Sequence, residues 1–239
     1  MNDSISLKKI AILSKNDLRN IFRDKSIWVP MVAPLIILLL LRFGLPQLKN
    51  YYPAVTQYYG LILAMMSCVN AIFPAFFVSF MMLDEKDQQL FAVMRIMPLA
   101  PQWFILYRVL FIAIMAFVFV FITLVFSGLV VMPLVKMLAL SLVIALLAPL
   151  VTLITVTFAK NKIEGIAMLK GINMGLALPM IAFLVASPWT KLLAIIPVYW
   201  IYQAFDPTAN FWLAILVGAV YISLLIWVIF RRFKNSVFR

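Results

Sequence analysis

Histidine is absent from the 239 residues, cysteine occurs once and acidic residues number only 8. Each shortage excludes something. Without histidine there is no His-based metal site and no Ser–His or Cys–His nucleophile pair. Cys68 alone cannot close an intrachain disulfide, and its apolar sequence neighbours fit a small packing residue. Charged residues of both signs make up 12% of the chain, against about 25% in globular domains. No GxxxxGK run followed by Ser or Thr occurs, so the chain has no phosphate-cradling loop of its own. The opening MNDSISLKKIAILSKNDLRNIF has no compact apolar run before a cleavage site and does not read as a signal peptide.

What fills the space is apolar. At 66% hydrophobic residues, the chain exceeds what a soluble domain of this length can bury. The expected class is an all-α integral membrane protein. About 20 mostly apolar residues span a bilayer. Ile27 to Leu45, the later part of Asn50 to Leu83, Val109 to Val135, Met137 to Ala159, Gly171 to Thr190 and Pro207 to Phe230 qualify, predicting six transmembrane helices. Arg42 lies near enough to the end of the first to snorkel. Leu192 to Phe205 is too short for a seventh span and contains Pro197, so it reads as a re-entrant or interfacial outer segment before span six. Tyr199, Trp200 and Tyr202 suit an outer aromatic belt there, as do Tyr51, Tyr52, Tyr58 and Tyr59. Before span one, Ile10, Leu13, Leu18, Ile21 and Phe22 recur at helical spacing among basic residues, which predicts an amphipathic interfacial helix.

The net charge of +12 invites a nucleic-acid partner, but orientation explains it better. With the N-terminus inside, 16 of the 20 Lys and Arg fall on the cytoplasmic side. Both termini are therefore expected in the cytoplasm, with no nucleic acid required.

Three of the 8 acids, Asp84, Glu85 and Asp87, cluster where span two must end. Acids at mid-bilayer cost roughly 2.5–3.5 kcal/mol each, so the cluster marks the exit point. Asp84 is placed as the N-cap of a new short helix, with Glu85 and Asp87 in its first turn. Leu90, Val93, Met94 and Met97 then form one apolar stripe, and Pro98 and Pro101 end the helix. Periodicity alone is compatible with a solvated loop, a helix lying on the membrane, or an element that docks into a partner's groove.

The arrangement resembles the permease subunit of an ABC type-2 exporter: basic amphipathic helix, two spans, acidic LDEKD with a Pro-terminated helix, then four spans. In LDEKDQQLFAVMRIMPLAPQWFILYR, NKIEGIAMLKGIN and IIPVYWIYQAF it is similar to the short bacterial fluoroquinolone-export permeases. The resemblance implies that residues 84–97 are a coupling helix on a separate ATPase subunit, through Asp84, Glu85, Asp87, Leu90, Phe91, Met94 and Met97. It makes the loop with Glu164 and Gly165 a second cytoplasmic contact; a salt bridge of Glu164 to Lys160 or Lys162 fits the sequence equally well. ATP and Mg are then expected on the partner, with no cofactor on this chain. A homodimer or a heterodimer with a sister permease is implied, with spans one, two and five lining interface and path.

Small residues recur every fourth position at Ser67, Ala71, Ala75 and Ser79, and at Ala167, Gly171 and Gly175, a spacing that lets helices approach closely. Packing within one chain and a dimer interface or path both fit it. Asn70 and Asn173 serve as interhelical glue or as path-lining groups. Pro34, Pro74, Pro149 and Pro179 interrupt spans as kinks or hinges. The spans show no buried acid, which argues against proton or sodium coupling.

The expectation is one permease domain, 1–239: an amphipathic helix (1–26), spans one and two (27–83), the coupling helix (84–101), and spans three to six with a cytoplasmic tail (102–239). Its function is expected to be ATP-driven export of an amphipathic or apolar compound across the cell membrane. The alternatives are a membrane assembly or anchoring protein, and an ion-gradient-driven secondary transporter.

Overall fold

The computed structural model describes residues 25–88, 101–185 and 187–237. The expected amphipathic helix falls almost wholly outside them. So do Leu90, Phe91, Met94 and Met97 of the expected coupling helix.

Among the described residues there are helices and no strand. In lipid every backbone N–H and C=O must be satisfied within the protein, and a helix does this within one segment. Helix α1 (Lys25–Leu39) passes through a π-helical turn (Leu40–Gly44) into α2 (Leu45–Tyr51). A 3-10 turn (Pro53–Tyr58) leads into α3 (Tyr59–Asp87), which runs unbroken past Pro74. Then come α4 (Pro101–Ser127), α5 (Leu134–Ala145) and α6 (Leu147–Phe158). Helix α7 (Lys162–Ala177) tightens at Pro179 into a 3-10 turn (Leu178–Met180) and α8 (Ile181–Leu184). A 3-10 segment (Pro188–Ile195), α9 (Val198–Phe205) and α10 (Phe211–Val237) complete the chain.

Six of these stretches are long and apolar enough to cross a membrane: Val32–Tyr51, Pro53–Asp87, Ile105–Ser127, Leu134–Phe158, Lys162–Leu184 and Phe211–Lys234. They are spans one to six, and the protein is a multi-pass membrane protein. Several boundaries differ from the expected ones. Span five begins at Lys162, nine residues earlier than expected, so Lys170 lies within a helix and not in a loop. Span three begins before Arg108, which the charge count had placed in a loop. It stops at Ser127 because Gly128 takes φ +67°, the left-handed turn that ends helices. Span four breaks at Leu146, whose N–H bonds Val143 O at 3.2 Å; three residues on, Pro149 has no N–H for Ala145 O.

Spans two and four are mostly buried inside the bundle, and the other four turn most of their surface outward. Helix α3 packs against α1, α4, α6, α7 and α9. Lipid supplies no hydrophobic force between helices, so close contact depends on small side chains. Ser67, Ala71, Ala75 and Ser79 are all fully buried along α3. Their stripe is thus used inside the chain: Thr152 Oγ1 of span four donates to Ala75 O at 3.3 Å. Asn70 Nδ2 donates to Thr123 Oγ1 of span three at 2.8 Å.

Helix α9, eight residues long, is far too short to cross. Tyr202 does not join an outer aromatic belt. It is buried, and its hydroxyl donates to Leu176 O at 3.0 Å, a carbonyl near the tightened end of α7. Tyr51, Tyr52 and Tyr58 are exposed.

Candidate coupling site at the end of span two

The acidic cluster does not open a new helix. Helix α3 continues through Asp87, so Asp84, Glu85 and Asp87 occupy its last turn, and Asp84 is not an N-cap. A helix C-terminus carries partial negative charge and disfavours acids there by about 0.3–1 kcal/mol each. Cations from neighbouring helices offset this.

Four consecutive side chains reach three other spans. Leu83 presses on span five: a Cβ at Gly165 would lie 2.5 Å from Leu83 Cδ1, so glycine is what permits the approach. Asp84 Oδ1 pairs with Lys162 Nζ at 2.5 Å, at the first residue of α7. Glu85 turns to span three, where Arg108 Nη1 and Nη2 donate to its two carboxylate oxygens at 2.5 and 2.6 Å. Lys86 Nζ donates to Ala159 O at 2.8 Å and Val156 O at 3.1 Å, carbonyls at the end of span four. A cation at a helix C-terminus satisfies orphan carbonyls and complements the dipole.

The two ion pairs differ in weight. Asp84 and Lys162 have side chains 43% and 44% exposed, and such pairs contribute about 0–1 kcal/mol. Glu85 and Arg108 are 16% and 3% exposed and meet through both arms of the guanidinium. Arg108 also donates from Nε to the Tyr107 hydroxyl at 3.2 Å. This bidentate pair carries most of the ionic contribution. It also corrects one expectation, because a largely buried acid does exist at the edge of the spans.

Glu164 forms neither expected salt bridge. Its carboxylate accepts from Lys160 N at 2.8 Å, while Asn161 Oδ1 caps α7 by accepting from Glu164 N at 2.9 Å. Gly165 is buried against Leu83, so its contact is internal. Asp87 is exposed. Gly171 and Asn173 are exposed on span five, and Gly175 is partly so; a Cβ at either glycine would meet nothing within 4 Å. Among the described residues no group of three acids or cysteines is placed to hold a metal.

Sequence reasoning missed Leu83, Lys86, Arg108 and Lys162. Lys86 and Arg108 had been counted only as signs of orientation, and Lys162 had been paired with Glu164 instead of Asp84. The one visible hint was that acids at the end of span two coincide with cations at the matching ends of spans three and five.

A family model for fluoroquinolones export permease protein Rv2686c-like matches residues 17–230. The chain belongs to this family. Curated relatives include the fluoroquinolones export permease proteins Rv2686c and MT2760 of two Mycobacterium tuberculosis strains. Each is 29% identical over 238 residues, covering 95% of this chain and 94% of the relative. No solved structure matches. The resemblance read from LDEKDQQLFAVMRIMPLAP and its companion segments is thereby borne out, and the permease is a transport protein of the membrane.

Proposed function

We propose that the permease is the membrane subunit of an ATP-driven exporter that moves a drug-like or lipid-like amphiphile out of the cytoplasm. ATP and Mg belong to a separate ATPase subunit. Residues 84–97 meet that subunit, and both termini lie on the same, cytoplasmic, side. The relatives are named for fluoroquinolone export, which supports a drug-like substrate class.

The observation that carries this reading is the cluster from Leu83 to Lys86. In the chain this cluster is followed by Asp87 and then Gln88, and the connection from there leads to span three, which opens at Pro101. A force on that connection reaches span three through Glu85–Arg108, span four through Lys86 and span five through Leu83 and Asp84. One push on a docked segment thus moves four helices together.

Span five supports pairing of two permeases. Ala167, Lys170, Gly171, Asn173 and Met174 are exposed on it. A charged or amide side chain facing lipid is costly, and small residues beside it favour a close helix partner. The second permease, identical or a sister chain, covers this surface in the proposed assembly.

The test is affinity purification in mild detergent, followed by drug uptake into inverted membrane vesicles. A co-purifying ATPase with a Walker A motif and ATP-dependent uptake of norfloxacin are expected. Uptake that persists without ATP and collapses with the proton gradient overturns this reading in favour of a secondary transporter.

A further inference from the structure

At the end of the bundle opposite the acidic cluster, span one is not a regular α-helix. Its π turn, Leu40–Gly44, carries Arg42. Such turns are rare inside α-helices and are frequently found at functional sites. Across from it, span three ends at Ser127 and Gly128 takes φ +67°. A Cβ at 128 would collide with Arg42 Nη1, so the glycine leaves the space in which the guanidinium lies.

Beside that guanidinium is an outward-open cavity of about 430 Å³, lined by Leu38, Leu39, Arg42, Phe43, Val125 and Phe126, all but Leu38 exposed on the surface of the bundle. Every wall residue except Arg42 is apolar, and two are aromatic. Among the described residues no carboxylate pairs with Arg42. Asp206, the described acid at this end, is taken up by Thr208, accepting from its N–H and its hydroxyl at 2.9 and 2.7 Å. Ionisable groups in membrane spans are costly and mark ligand paths or counter-ions. A volume near 430 Å³ falls in the range of roughly 300–1,000 Å³ that holds drug-sized ligands.

We infer that this cavity between spans one and three binds a drug-sized aromatic carboxylate. The guanidinium takes the carboxylate through two parallel hydrogen bonds, and Phe43 and Phe126 take the ring system. A fluoroquinolone has this chemistry, with fused aromatic rings and one carboxylate. The assignment of the ligand as exported cargo rests on the export reading; the binding does not.

The test uses the full-length permease in phosphatidylcholine nanodiscs, titrated with norfloxacin and with norfloxacin methyl ester by fluorescence anisotropy. The acid is expected to bind about tenfold more tightly than the ester, the loss that one charge-assisted contact implies. Arg42→Gln is expected to abolish that difference, and Arg42→Lys to keep part of it, because a point charge lacks the fork. Val125→Trp fills the cavity with Arg42 in place and is expected to weaken both ligands. Equal affinity for acid and ester, or unchanged binding in Arg42→Gln, overturns the site. So does displacement of norfloxacin by added phosphatidylglycerol that the wild type retains and Arg42→Gln releases, which makes this a lipid site. Intact Arg42-dependent binding without ATP-driven uptake overturns the export reading and leaves the site standing.

Discussion

Glu85 and Arg108, 23 residues apart in sequence, meet through two hydrogen bonds of 2.5 and 2.6 Å and join spans two and three on either side of the connection between them. Removing one partner of a buried ion pair takes the counter-charge from the other and costs about 3–5 kcal/mol. The slight exposure of Glu85 puts this pair at the lower end. Glu85→Gln and Arg108→Gln are each expected to lower the midpoint of thermal unfolding in detergent. The double variant is expected to lose less than the sum of the two, since residues in direct contact are energetically coupled. Additive losses would show that the pair is not coupled.

Lys86 holds the last carbonyls of span four, Val156 and Ala159. Hydrogen bonds to charged groups contribute about 1.5–3 kcal/mol. Lys86→Met keeps the apolar stem and removes the donors. Hydrogen exchange of the amides from 155 to 162 is expected to speed up, with little change in span one. Unchanged exchange there would mean water takes over the ammonium's role.

Gly165 and Gly171 lie on the same helix in opposite settings. Gly165→Val drives a branched side chain into Leu83, and overpacking of this kind costs about 1–3 kcal/mol. Leu83→Ala in the same chain is expected to recover part of that loss. Gly171→Ala meets nothing within 4 Å, so the single chain is expected to gain about 0.5–1 kcal/mol from alanine's better helix preference.

The span-five face also makes a prediction about association. In a Cys68→Ser background, Gly171→Cys is expected to form a disulfide between two chains in membranes under mild oxidation. Met137→Cys, at a partly buried site in span four, is expected not to. Equal cross-linking at both positions would point to random collision.

Much of the candidate site was legible as composition and little of it as geometry. LDEKD stood out because acids are rare in this chain, and its place at the end of span two was read correctly. Its helix assignment was not. Apolar periodicity after an acidic cluster suggests a fresh N-terminus, but helix α3 continues through Asp87 because Lys162 and Arg108 neutralise acids that its C-terminal end disfavours. The small-residue stripe of span two was visible, yet spacing cannot say whether a stripe faces its own chain or another. Thr152 against Ala75 answers for span two, and the empty space at Gly171 distinguishes span five.

By itself the sequence determined the membrane class, the six apolar stretches, the family and the absence of histidine-based or phosphate-loop chemistry. These are properties of composition and local runs, and they need no distances. Only the tertiary structure decided that Leu83 to Lys86 binds three other spans, that Arg108 is buried and that Arg42 sits over Gly128 beside a cavity. Each depends on which charges and small residues are brought within a few ångströms across segments far apart in the chain. Hydropathy shows where a helix crosses, but not which way its polar residues point once neighbouring helices surround it.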